Sequence, residues 1–310
     1  MFGRRKHPLG HIHLVSFADS RLDVAARRFK RQAKRFGQFS TVKVYSEHSL
    51  DEDFMQNYRE RVNPDVRGFG YWLWKPKIIL DRLKELPEGN ILFYADIGFH
   101  LNFRGKTRFE DWVDLLSSSL EPLLLFQAFP PSEPFSWDGR ALPELADVYW
   151  CKRDLINFLG MDDDPALLQP TIGAGLIGIR NTPAALDFIT LWFSIMAQNP
   201  NLVDDSPSLL PNCSSFREHR HDQAVLSLLA KKHETGVRLS TFEYWYPNSN
   251  RAGADWTLLR RAPFLAVRDH ALKKGSAKGF ATLLSTILQR AGWVGLSLGG
   301  WRRCKELFKR

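Results

Sequence analysis

From Ile12 to Phe17 the chain is a short, mostly apolar run that predicts a strand. The spacing of apolar residues then changes. Leu22, Ala25, Ala26, Phe29, Ala33 and Phe36 recur at helical intervals and form one stripe, while the opposite face carries Arg27, Arg28, Lys30, Arg31, Lys34 and Arg35. Val42 to Tyr45 predicts a second strand. The chain therefore opens as strand, helix, strand, the order from which parallel sheets are built.

The same reading carries on downstream. A helix is expected to start at Pro76, whose missing N–H costs nothing in a first turn, and to run through Ile78, Ile79, Leu80 and Leu83 to a stop near Pro87 to Gly89. Ile91 to Ala95 is a continuous apolar run, the signature of a strand covered on both faces, and it ends abruptly at Asp96. Further strands are predicted at Leu123 to Phe126 and Ile172 to Ile179, and helices at about 183–198 and 222–233. The stretches Pro130 to Pro143 and Asn199 to Ser215 read as loops. The whole is an alternating α/β chain.

Composition agrees with a folded protein: 310 residues, 44% hydrophobic, 25% charged and 13% aromatic. Cys151, Cys213 and Cys304 are too few and too scattered for a disulfide framework, which points to a reducing compartment. The net charge of +9 suggests a nucleic-acid binder until it is mapped. Residues 1–35 hold ten Lys/Arg against two Asp and residues 273–310 nine against one Glu, whereas 36–272 hold 24 against 31 acids. A basic groove through the fold is therefore not expected, and the excess at the ends suits an anionic surface. No signal peptide and no apolar run of about 18 residues is present, so a cytoplasmic location is expected.

Chemistry concentrates in three places. Asp96 reads either as a cap on the next turn or as a ligand for a divalent cation holding a diphosphate, because a hard cation takes carboxylate oxygen. In Gly68 to Pro76 two glycines, which allow close backbone approach to a ligand, and four aromatics (Phe69, Tyr71, Trp72 and Trp74) precede Lys75 at a helix start, where a phosphate could be met, although the aromatics could instead be core. Phe216 to Gln223 packs His219, His221, Arg217, Arg220, Asp222 and Gln223 into one helix entrance. These groups suit sugar hydroxyls, but Asp222 also suits an N-cap and the histidines a surface. Gly173-Ala174-Gly175 lies inside a strand and so fails as a dinucleotide fingerprint. The Gly-x-Ser-x-Gly and P-loop patterns are absent.

Three motifs, GFGYWLWKP (68–76), ILFYADIG (91–98) and EHRHDQAVLSLLAKKH (218–233), together resemble nucleotide-diphospho-sugar glycosyltransferases of polysaccharide and lipopolysaccharide synthesis, in the GT-A superfamily. Lesser matches are WCKRDL (150–155) and VRDH (267–270), so the resemblance spans roughly residues 11–270. It implies an α/β GT-A type fold, a Rossmann-like mixed sheet flanked by helices, with a transferase domain over 1–272 and a basic amphipathic helical extension over 273–310.

The resemblance also implies roles. Phe17, Ala18 and Asp19 would touch the nucleoside, while Tyr71, Trp74, Lys75, Asp96 and Gly98 would line the donor site. ADIG stands where such enzymes use Asp-x-Asp to hold Mn²⁺ or Mg²⁺; here the second acid is Gly98, and His270 is the candidate for the missing ligand. Asp222 would bind donor-sugar hydroxyls and Gln223 would face the reacting carbon. An inverting reaction would instead need a base such as His221 or His219.

The implied activity is hexosyl transfer from a nucleotide sugar, a UDP-sugar by expectation, to a glycan or lipid-linked saccharide. At the C-terminus Phe280, Leu283, Leu284, Ile287, Leu288 and Ala291 form a helical stripe followed by Trp293, Trp301 and a basic end. This reads as a docked helix or as an anchor on an anionic membrane. Two alternatives stand beside the transferase: a non-catalytic module that binds a sugar nucleotide or membrane, and a nucleic-acid binder, which the acidic middle argues against.

Overall fold

The computed structural model describes residues 11–128, 145–244 and 259–267, together with the backbone of 136–137 and 140–141. Its strands are β1 (Ile12–Phe17), β2 (Thr41–Tyr45), β3 (Ile91–Ala95), β4 (His100–Leu101), β5 (Leu123–Gln127), β6 (Ser136–Trp137), β7 (Arg140–Ala141), β8 (Ile172–Arg180), β9 (Val237–Ser240) and β10 (Phe264–Leu265). Six of them form the main sheet in the order β2-β1-β3-β8-β5-β9. Neighbours are parallel except at β8, which runs antiparallel to both β3 and β5. This is the mixed α/β sheet flanked by helices that the motifs lead one to expect.

The helices used below are α1 (Asp23–Phe36), α2 (Glu52–Tyr58), α3 (Trp74–Glu85), α4 (Lys106–Ser118), α5 (Arg153–Phe158), α6 (Pro183–Gln198) and α7 (His221–Lys232). Strand β3 shows why its sequence is apolar throughout. Leu92 and Tyr94 point into one core with Ile78, Ile79 and Leu83 of α3, Trp192 of α6 and Leu228 of α7, while Phe93 and Ala95 point into the other with Phe29 of α1 and Phe109 and Trp112 of α4. Burial on both faces leaves room for chemistry only where the strands end.

One boundary differs from expectation for a local reason. Helix α3 begins at Trp74, two residues before Pro76, because the first four N–H groups of a helix have no partner within it and proline is tolerated anywhere in that turn. Before it, Gly68, Phe69, Gly70, Tyr71 and Trp72 all have positive φ, between 50° and 98°. For the three aromatics such backbone costs roughly 1–2 kcal/mol per residue. Tertiary contacts hold it in place: the Trp74 indole donates to the Gly68 carbonyl at 3.0 Å, and the Trp72 ring fills the space where a Gly68 Cβ would sit.

Candidate functional site

The carboxyl ends of β1 and β3, the turn before α3 and the N-terminus of α7 meet around a cleft of about 520 Å³. At its floor the Lys75 ammonium lies 2.6 Å from Asp222 Oδ2 and 3.4 Å from Asp96 Oδ1, and it donates to the Ala174 carbonyl of β8 at 3.2 Å. Burial alone would lower the Lys75 pKa, but the two carboxylates outweigh it and hold the group charged. Burial pushes the Asp222 carboxyl up from 3.8 to about 6, with Lys75 pulling the other way.

Asp96 is more open, with its side chain 36% exposed. Its backbone N–H donates to the Gly175 carbonyl, and its Oδ1 accepts from the Tyr94 hydroxyl at 2.5 Å. Tyr94 is buried, and both burial and the Asp96 charge raise its pKa well above 10, so it remains a donor. A Cβ on Gly175 would stand 3.0 Å from Asp96 Oδ2 and 3.2 Å from the Phe99 ring, and one on Gly173 would meet the Tyr244 hydroxyl at 2.7 Å. Gly173 and Gly175 of β8 are therefore required by side chains that stand against the strand beside the cleft.

The entrance to α7 is held by an exchange with the segment before α5. Arg217 and Arg220 N–H groups donate to the Tyr149 and Trp150 carbonyls, and the Lys152 N–H donates to His219 Nδ1. These bonds join the WCKRDL and EHRHDQ segments in space. His219 is buried, and desolvation lowers its pKa well below 6.5. It serves this joint, and it does not line the cleft.

His221 does line it. Its Nδ1 is 2.8 Å from the Val203 carbonyl and so carries the hydrogen, which leaves the lone pair on Nε2. Burial lowers its pKa, so the ring is neutral at pH 7. The ring stacks on Trp72 at 5.4 Å and meets Tyr71 at 5.1 Å. The surface reading of both histidines is corrected, since each is at most 5% exposed.

The expected donor residues divide into two groups. Phe17, Asp19, Trp74, Lys75, Asp96, Gly98, His221, Asp222 and Gln223 all line the cleft. Phe17 stacks on Trp74 with centroids 4.1 Å apart. Asp19 is clamped by Arg21, whose backbone N–H and guanidinium both donate to it. The Gln223 amide donates to Thr171 Oγ1 at 3.2 Å. Tyr71 and Ala18 stand behind the lining: Tyr71 packs on His221, and the Ala18 N–H is committed to the Tyr45 carbonyl.

Two expectations change. Lys75 is not an open phosphate cation, because its ammonium is already shared by two carboxylates. Gly70 serves close packing rather than ligand approach, since a Cβ there would fall 2.9 Å from the Arg61 carbonyl. Further residues complete the site, Arg67 from outside the motifs and Arg220 and Tyr94 from within them. Arg67 and Arg220 line the cleft, and the Arg220 guanidinium lies 4.0 Å over the Trp150 ring. Tyr94 could have been found, because it stands two residues before Asp96 on the same face of β3.

Among the described residues, no group of three or more His, Cys, Asp or Glu side chains could hold a metal ion. Asp96 offers one carboxylate, and Lys75 separates it from Asp222, so these residues alone do not make a divalent-cation site. His270 and the extension over 273–310 lie outside the described residues. No helix among the described residues is long and apolar enough to cross a membrane.

No family model matches the chain, and no curated protein matches it. Among solved structures it is similar to a glycosyltransferase involved in the glycosylation of the major capsid of PBCV-1, at 12% identity over 82% of this chain and 92% of that one, with a TM-score of 0.44. It is similar to mouse xyloside xylosyltransferase 1 in its apo form at 10% identity, covering 86% and 99%, with a TM-score of 0.41. It is also similar to galactosyltransferase LgtC in complex with donor and acceptor sugar analogs, at 13% identity over 90% and 95%, with a TM-score of 0.38.

Proposed function

We propose that the chain is a glycosyltransferase that moves a sugar from a nucleotide-diphospho-sugar to a glycan or lipid-linked saccharide. The observation that carries this reading is the convergence of three segments far apart in sequence, bearing Lys75, Asp96 and Asp222, on one cleft at the ends of β1 and β3. Two carboxylates against one ammonium give that floor a net charge of −1 when all three are ionised. A negative, largely dehydrated floor favours an oxocarbenium-like sugar over its neutral ground state. Asp222 and the amide of Gln223 supply the acceptors and donors that sugar hydroxyls need.

Phe17 and Asp19 would meet the nucleoside. The departing diphosphate would lie toward Arg21 and Arg67, lining cations that pair with Asp19 and Asp205 but, unlike Lys75, are about half exposed and so have N–H groups open to a phosphate. Lys75 would hold Asp222 and Asp96 in register for the sugar. A divalent cation at Asp96 and His270 is a separate part of the proposal, and no step above depends on it. Should the reaction invert, His221 is the candidate base, although its Nε2 is buried 3.5 Å from Asp205 Oδ1 and would have to be uncovered before it met an acceptor.

A second reading, a binding module without turnover, is favoured by the neutralisation of Asp222 by Lys75 and by Gly98 in place of a second acid. Release of nucleotide from a panel of UDP-, GDP- and CMP-sugars, with Mn²⁺ and with a chelator, separates the two. Turnover of one donor by the wild type and its loss in Asp222→Asn supports the transferase. Thermal stabilisation by a donor without turnover, even with saccharide acceptors present, supports the binding module. No response to any donor would remove both.

A further inference from the structure

The exposed face of α1 has no part in the cleft. Arg27, Lys30, Arg31, Lys34 and Arg35 are all exposed and fall on one side of the helix, opposite Ala25, Phe29, Gln32, Ala33 and Phe36, which are buried. Only Arg27 has an ion pair to an acid among the described residues, with Asp23 at 2.9 Å. The five cations span about 12 Å of helix axis, and successive ones along it are at most about 4.5 Å apart, within the screening length of about 8 Å at physiological salt, so the potentials of neighbours add. Like charges at i and i+4 oppose helix formation, and this face repeats that arrangement at 27/31, 30/34 and 31/35. A helix that only needed a solvated face would gain by alternating signs.

The patch extends past the end of α1. The Lys106 ammonium lies within 3.7 Å of where a Gly37 Cβ would stand, at the C-terminus of the helix. Phe103 is 38% exposed, with the Arg35 guanidinium 5.5 Å from its ring centre. A row of cations with an exposed aromatic ring at its end matches the headgroup zone of an anionic bilayer, where phosphates meet Lys and Arg and an aromatic ring sits at the polar boundary.

The geometry points to this face of α1, with Phe103 and Lys106, as a docking surface for an anionic lipid membrane. The surface is independent of the basic C-terminal extension. It does not rest on the transferase reading, although it would suit an enzyme whose acceptor is lipid-linked. A protein partner with an acidic face is less well matched, since Lys30, Arg31, Lys34 and Arg35 face outward with no acid between them and Asp23 answers only Arg27 at the far end.

The test is co-sedimentation of the full chain with phosphatidylcholine vesicles and with vesicles that also contain phosphatidylglycerol. The wild type is expected to bind only the anionic vesicles and to be released by salt. Each cation near such a surface contributes about fivefold, equivalent to about 1 kcal/mol, so the variant Lys30→Gln/Arg31→Gln/Lys34→Gln/Arg35→Gln should bind at least tenfold more weakly. Exchanging Lys and Arg at the same four positions should preserve binding. Glutamine is a good helix former, and unchanged circular dichroism and melting temperature would show that the variant is folded. Vesicle binding unchanged in the glutamine variant would assign any membrane affinity to the C-terminus and overturn the proposal. Binding to duplex DNA or RNA with none to vesicles would overturn it too. Failure of donor turnover would leave the result of this test untouched.

Discussion

Lys75 Nζ and Asp222 Oδ2 lie 2.6 Å apart, with the two side chains 3% and 7% exposed, and this pair joins the start of α3 to the start of α7. Lys75 has a second carboxylate in Asp96, whereas Asp222 has only Lys75 as its ion-pair partner among the described residues. The two ends of the pair are therefore unequal. Lys75→Met would leave two like charges without their cation and should cost about 3–5 kcal/mol, while Asp222→Asn leaves Lys75 paired and should cost clearly less. Urea denaturation of both variants at pH 7 reads the difference, and equal losses would contradict the asymmetry.

The Asp222 carboxyl, raised by burial to about 6, is ionised at pH 7 and protonated at pH 5. Donor turnover should therefore fall as pH drops through about 6. In the window from about 6 down to 3.8 the folded state holds this proton more tightly than the unfolded chain, so the group's own contribution to stability rises as activity falls. A pH profile of kcat/KM, alongside melting temperature over the same range, separates loss of function from unfolding.

His13 behaves in the opposite sense. It is held between Thr41 Oγ1 at 2.7 Å and Asn90 Nδ2 at 3.3 Å, and burial, with help from Arg82 and His11, lowers its pKa to about 4. The unfolded chain takes up a proton near pH 6.5 and the folded one does not, so this group's stabilisation is present above 6.5 and is lost as pH falls toward 4. His13→Asn should be less stable than wild type at pH 7, yet lose less on going to pH 5. Urea midpoints at the two pH values test this.

Two glycines of β8 predict separate outcomes. Gly175→Ala would bring a methyl within 3.0 Å of Asp96 Oδ2 and should cut turnover about tenfold or more by moving that carboxylate, with only a modest fall in stability. Gly178→Ala would place one 2.9 Å from Phe93 and 3.2 Å from Leu124, inside the sheet, and should cost about 1–3 kcal/mol with turnover per folded molecule kept. Kinetics and denaturation on both variants would show whether the two effects separate.

Much of this molecule was legible in the order of its residues. The stripe from Leu22 to Phe36, the apolar run of β3 and the Pro76 start of α3 gave helices and strands within a residue or two, because these signals are local properties of the chain. The motifs led to Asp96, Asp222, Gln223, His221 and Lys75, all of which line one cleft. Tertiary structure decided the rest. It set β8 antiparallel, which no periodicity encodes. It gave positive φ to Phe69, Tyr71 and Trp72 against their own preference, because packing around Gly68, Gly70 and Trp74 outweighs local strain. It also turned Lys75 from an apparent phosphate ligand into the cation between two carboxylates. The charge state and partners of an ionisable group depend on what other segments bring within a few ångströms of it, and that distance is set only when the chain has folded.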